Sequence, residues 1–228
     1  MIASHVHALR EGDDAAKMAA ARALSNLAEE TVNNGVLIAE AGATPLLVEL
    51  LRDGSAEAKS WAARALGGLA YADSNGVLIA EAHGIPPLVA LLRDGNADDA
   101  KLIAAWALVW IAFNDDNKDL IAEAGGIPPL VDLLRDGVAN ANRWAAEALE
   151  LLARNNDGNA VAIAAAVGLE ALVELARHGR LTFIGRHFFS NAGGPAKGKA
   201  ALVVAALLGG FVPDSVPRVI MAVIGSYL

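Results

Sequence analysis

The stretch Ile121-Ala-Glu-Ala-Gly-Gly-Ile-Pro-Pro-Leu-Val-Asp-Leu-Leu-Arg-Asp-Gly137 decides the fold, because the chain repeats it. Its opening recurs as Ile38-Ala-Glu-Ala-Gly42, Ile79-Ala-Glu-Ala-His83 and, degraded, Ile163-Ala-Ala-Ala-Val167, at separations of 41, 42 and 42 residues. Its ending recurs as Leu51-Arg-Asp-Gly54, Leu92-Arg-Asp-Gly95 and Ala176-Arg-His-Gly179, with Leu9-Arg-Glu-Gly12 as an earlier copy. A third block, Ala-x-Ala-Leu-x-x-Leu-Ala in pattern, follows around Leu24, Leu66, Leu108 and Leu149. Such a period in a helical pattern specifies a solenoid.

Each unit reads as three helices. The first is short, Gly76 to Ala82 in the third unit, and stops at Gly42, Gly84 or Gly125, where glycine takes the left-handed conformation without steric cost. Pro45, Pro86 with Pro87, and Pro128 with Pro129 then mark the start of the second helix, where a missing amide proton costs nothing. The second helix carries apolar residues three and four apart and ends at Arg-Asp-Gly. The third and longest runs from about Ala56 to Ala70 in the second unit, with small residues for close contact and a leucine ridge.

The repeating motif and the Ala-Ala-x-Ala-Leu-x-x-Leu-Ala block resemble armadillo repeats over roughly residues 8 to 180, most specifically in the middle three units. The resemblance implies an all-α fold, a right-handed α-solenoid of about 4.5 three-helix repeats whose third helices line a concave groove, and a binding scaffold of the importin alpha and beta-catenin kind. Repeats are expected at about 1–37, 38–78, 79–120, 121–162 and from 163 to 180 onward, and a divergent segment at 181–228. Two departures stand out. The chain starts inside a repeat, without a first short helix, and the pattern is lost after Gly179.

Composition agrees. Fifty of 228 residues are alanine, hydrophobic residues make up 55% and aromatics 5%, which favours close-packed helices over a β-sandwich. The net charge of −8 argues against a sequence-independent grip on nucleic acid or an anionic bilayer, since both need a dense cationic face. The absence of cysteine excludes a disulfide framework and a thiolate zinc site, and fits a reducing compartment, cytoplasmic or nuclear. No basic-then-apolar leader opens the chain. The most apolar run, Ala200 to Phe211, is too short for a membrane span, which needs about 20 residues.

The armadillo resemblance implies that a groove asparagine lies two residues after the Ala-Leu pair of the third helix, with a tryptophan four residues earlier. In this chain the asparagine position is Asn26, Gly68, Trp110 and Leu151, and the position one turn earlier is Arg22, Arg64, Trp106 and Glu147. Three residues before that come Ala19, Trp61, Ile103 and Trp144, so all four tryptophans share one helix face. Only Asn26 and Trp106 keep the family residue, which leaves an importin-like ladder for basic signals unsupported. The expectation is therefore that Arg22 and Arg64 take acidic groups and that Trp106, Trp110 and Trp144 hold apolar or cationic side chains. The plain alternative is that these tryptophans fill volume lost to alanine and the arginines are solvated. Helix layers about 8–10 Å apart give a groove of roughly 30–40 Å, room for on the order of ten extended residues.

Catalytic and metal constellations are missing from the sequence. His5, His7, His83, His178 and His187 do not pair at metal-site spacing. Asp115, Asn117 and Asp119 mimic the start of a calcium loop without its glycine and glutamate, and are expected to cap the next helix. Arg-Asp-Gly is a helix stop with a solvated charge pair. At the N-terminus Val6 and Leu9 lack a preceding layer to pack on, and residues 181–228 read as an apolar cap, ahead of a sticky face or a tail without a native role. The expected function is a non-catalytic scaffold for a protein or extended-peptide ligand, without cofactor. The alternatives are a structural module that self-associates through apolar ends and, last, a helical-repeat lyase, disfavoured because no acid–base pair converges on the groove.

Overall fold

Short polar side chains open the helices. Asp13 Oδ1 accepts from the Ala16 amide at 2.8 Å, Thr31 Oγ1 from Asn34 at 3.1 Å and Ser55 Oγ from Ala58 at 3.3 Å. Each satisfies a first-turn N–H that has no intrahelical acceptor. The computed structural model describes residues 1–95, 98–160, 162, 163 and 166. Those residues form α1 (Ile2–Glu11), α2 (Asp14–Glu30), α3 (Val32–Glu40), α4 (Ala43–Asp53), α5 (Ala56–Leu69), α6 (Asp73–Glu81), α7 (Ile85–Asp94), α8 (Asp98–Ile111), α9 (Asp115–Glu123), α10 (Ile127–Asp136) and α11 (Ala139–Ala153). The chain divides into two compact units, Met1–Leu151 and Leu152–Leu228. Apart from Ile163 and Ala166, the fifth repeat at 163–180 and the segment 181–228 lie outside the described residues.

The helices follow the repeat. First helices are α3, α6 and α9, second helices are α1, α4, α7 and α10, and third helices are α2, α5, α8 and α11. First and second helices meet nearly at right angles, 87° between α3 and α4 and 86° between α6 and α7. Gly42 (φ 81°) and Gly125 (φ 77°) make two of these turns in the left-handed region. At the third turn the sequence reading is off by one residue: His83 (φ 58°) takes the left-handed position and Gly84 stays at φ −77°. His83 aligns with Gly125, so it carries a conformation costing roughly 1–2 kcal/mol in a residue with a Cβ.

Within the first unit, like stacks on like. The first helices pack as α3–α6–α9, the second as α1–α4–α7–α10 and the third as α2–α5–α8. Ala20, Ala62 and Ala104, Ala21, Ala63 and Ala105, and Leu24, Leu66 and Leu108 all sit at 2% exposure or less. The alanines let neighbouring third helices approach, and each leucine contributes about 1.5–3 kcal/mol by burial. This is an all-α solenoid. The N-terminal end differs from expectation, because Val6 and Leu9 are 5% and 4% exposed. Helix α1 turns them onto α2 and α4, so the apolar surface there is used internally.

An asparagine amide ties each first helix to the third helix before it. Asn34 Nδ2 donates to Leu27 O (2.9 Å), Asn75 Nδ2 to Leu69 O (2.9 Å) and Asn117 Nδ2 to Ile111 O (3.0 Å). In the second unit Asn159 Nδ2 donates to Leu152 O at 3.2 Å. The acceptors are carbonyls near the ends of third helices, which lack intrahelical donors. Asn117 also reaches Gly76 O at 3.1 Å, joining α9 to α6. Asn117 therefore does not cap α9. That role belongs to Asn114, whose Oδ1 accepts from the amides of Asp116 (3.1 Å) and Asn117 (3.3 Å).

Asn117→Ala removes two buried hydrogen bonds and is expected to destabilise the chain by about 2 kcal/mol, whereas the half-buried Asn34→Ala costs less than about 1 kcal/mol. Urea unfolding followed by helical circular dichroism measures both, and equal midpoints for the two variants would contradict this account of the tie.

Candidate functional site

The third helices bring the marked residues to one surface. Between α2 and α5 lies a cavity of about 260 Å³. Met18, Ala19 and Ala23 of α2 give it an apolar wall, Trp61 of α5 closes the far side, and Arg22, Asn26 and Glu57 supply polar groups. Arg22 and Asn26 are exposed and stand one helical turn apart on α2, so both face the cavity. Of the predicted groove residues, the structure thus brings Arg22, Asn26 and Trp61 together.

Trp61 is held by two cations. The Arg22 guanidinium carbon lies 5.3 Å from its ring centroid and that of Arg64 lies 5.8 Å away, both within cation–π range. The two arginines differ in what else they bind. Arg64 donates through Nε to Glu29 Oε1 (2.7 Å) and through Nη2 to Glu29 Oε2 (3.1 Å), a two-pronged bridge from α5 back to α2. A ligand carboxylate approaching Arg64 meets Glu29 already in place.

Beyond Arg64 an aromatic run begins. Tyr71 lies 5.9 Å from Trp106 and 4.2 Å from Trp110, edge to face in both cases, and Trp110 stacks on Phe113 at 5.3 Å. Gly67 makes this possible. A Cβ at that position would stand 2.3 Å from Trp106 Cζ3, so the indole lies directly against the glycine backbone. Trp106 and Trp110 are half-buried, Phe113 is 47% exposed, and the buried Trp110 Nε1 has no hydrogen-bond partner. Trp144 and Glu147 sit half-buried on α11, with the Arg143 guanidinium 4.9 Å from the Trp144 ring. The asparagine column is interrupted at all three later positions: Gly68 packs against Ala28, Trp110 belongs to the aromatic run, and Leu151 is buried at 4%.

Three residues of this surface escape a reading that stops at the asparagine column. Glu29, Tyr71 and Phe113 occupy the next position along the same face, three residues after Asn26, Gly68 and Trp110. Their mutual spacing of 42 is the signal that finds them. Among the described residues no three His, Asp or Glu side chains gather as a metal-holding group.

Burial raises the Tyr71 phenol above its ordinary 10.0, and the Glu29 carboxylate raises it further, against the opposing charge of Arg64. A raised folded-state value means that the neutral phenol's contribution to stability is complete below pH about 10 and is lost as pH rises through the raised value. Alkaline absorbance titration is expected to show a tyrosine ionising above the usual value, absent in Tyr71→Phe and lowered in Glu29→Gln. An ordinary titration of Tyr71 would contradict the burial assigned to it.

No curated protein matches the chain in sequence. The sequence model of the family described as "Armadillo/beta-catenin-like repeat" matches residues 114–154, the unit from Asn114 through α11. Solved structures match along most of the chain. One engineered protein is 25% identical with a TM-score of 0.71, over 93% of this chain and 98% of its own. Another is 30% identical with a TM-score of 0.79, over 91% of this chain, which spans about half (51%) of that protein. A designed armadillo repeat protein in complex with the peptide (KR)4 is 25% identical with a TM-score of 0.69, over 90% of this chain and 81% of its own. The period of 41 to 42 residues folds into three helix ladders, and the chain is similar to the armadillo family over residues 114–154 and to designed armadillo repeat proteins along most of its length.

Proposed function

We propose that the chain is a non-catalytic scaffold that grips an extended peptide, or an extended segment of a partner protein, across its third helices. The observation that carries this reading is the row of rings and cations on α2, α5, α8 and the residues just after α5 and α8, from the Arg22–Trp61 cavity to Phe113. Rigid aromatic rings offer large contact area at low entropic cost, and a repeat spacing of about 8–10 Å places successive rings two to three peptide residues apart. The neighbour solved with (KR)4 binds its peptide as an armadillo protein of similar sequence. Here the interrupted asparagine column and the pairing of Arg64 with Glu29 favour a ligand of different chemistry from that basic peptide.

Peptide-array binding by the purified chain tests the reading. Defined peptides are expected to bind the parent, and Trp106→Ala with Trp110→Ala to abolish binding while helicity by circular dichroism persists. Because Trp106 packs on Gly67, Phe113→Ala serves as the gentler variant; truncating its exposed ring is expected to weaken binding about tenfold without loss of fold. An array without binders, or binding indifferent to all three rings, sinks the groove.

A second reading, assembly through an apolar face, is favoured by one observation. Leu37, Leu78 and Leu120 stand at the same register on α3, α6 and α9, each 42–43% exposed. If this ladder mediates assembly, sedimentation shows a concentration-dependent oligomer that Leu78→Glu dissociates; a monomer at every concentration removes the reading.

A further inference from the structure

Trp61 carries two guanidiniums in unequal states. Arg64 has Glu29 on both prongs, and Arg52, Arg93 and Arg135 likewise pair with Asp53, Asp94 and Asp132. Arg22 has the Trp61 ring, an exposed position and a cavity in front of it, and among the described residues no carboxylate is bonded to it. A cation–π contact is electrostatic and takes up no hydrogen-bond acceptor, so it leaves the guanidinium N–H groups available to donate. Those donors, positioned but unused, match the planar two-oxygen geometry of a carboxylate.

We propose that this cavity is a subsite for one acidic side chain of the bound peptide, with Arg22 as the anchor that sets the peptide's register. The proposal rests on the peptide-binding reading above and names the ligand's chemistry at one end of the surface. The neighbours fit that role. Asn26, one turn along α2, presents an amide that both donates to and accepts from a peptide backbone. Met18, Ala19 and Ala23 line the apolar wall, against which the methylenes of an aspartate or glutamate lie. Glu57 stands at the same cavity from α5 and repels every ligand carboxylate there, so only the one that pairs with Arg22 is offset, and a single acidic residue flanked by neutral or basic ones is preferred over an acidic run. Glu29, bound to Arg64, shows the same recognition completed within the chain: a carboxylate on an arginine beside the same indole.

The test is the array in a second format, with peptides of about ten residues in which each position in turn carries Asp, Glu, Asn, Gln or phosphoserine. At one fixed register Asp or Glu is expected to bind about tenfold tighter than the matching amide. Arg22→Gln, an exposed substitution, is expected to erase that preference, and Arg22→Lys to restore part of it. Peptides that bind with no preference for acid over amide at any position overturn the subsite and leave the groove standing. A preference for acid that survives Arg22→Gln also overturns it. Preference for phosphoserine over both carboxylates replaces the assignment by a phosphate subsite. Failure of every peptide to bind removes the groove and this subsite with it.

Discussion

The contact between successive third helices governs everything else in the first unit. Alanine and glycine at the interface let α2, α5 and α8 approach closely, and the leucine ridge locks them once they have done so. Side chains too large for that interface are displaced to its edge. Trp61 and Trp106 therefore stand where a third helix meets its neighbour, half-covered by it: Trp61 beside α2, and Trp106 on the backbone of Gly67 in α5. The tight seam and the aromatic surface are two consequences of one constraint, because bulk excluded from the first reappears in the second.

Polar chemistry is arranged by the same stacking. The asparagine ties bring the end of each third helix and the start of the next first helix together, and they fix the phase of one unit against the next. The Arg64–Glu29 bridge crosses the same seam on the exposed side. At 41% and 32% side-chain exposure it contributes little to stability, but it neutralises one of the two cations on Trp61 and so leaves the pair unequal. The local charge pattern on this surface thus differs from what the net charge of −8 alone suggests.

Much of this was legible in the sequence. Helix stops at Arg-Asp-Gly, prolines in first turns and the small-residue face of the third helices are local or periodic signals, and the structure places helices where those signals put them. The asparagine ties were equally available, as an asparagine four residues before each of Ile38, Ile79, Ile121 and Ile163, but an amide on a short helix looks like a solvated residue until its burial is known. The His83 turn shows the limit in the other direction. The alignment of His83 with Gly125 was visible, yet the glycine preference for positive φ pointed to Gly84.

By itself, then, the sequence determined the repeat, its three helices, the seam residues and the column on which the tryptophans lie. These follow from short-range backbone preferences and from periodicity, both of which are written along the chain. Only the tertiary structure decided which of those groups are already committed. Glu29 and Arg64 are 35 residues apart, Gly67 and Trp106 belong to different units, and α1 shields Val6 and Leu9 by folding them onto α2 and α4. Such pairings depend on the rise and rotation between adjacent units. That geometry is set by how side chains interdigitate across the seam, and spacing along one chain does not encode it.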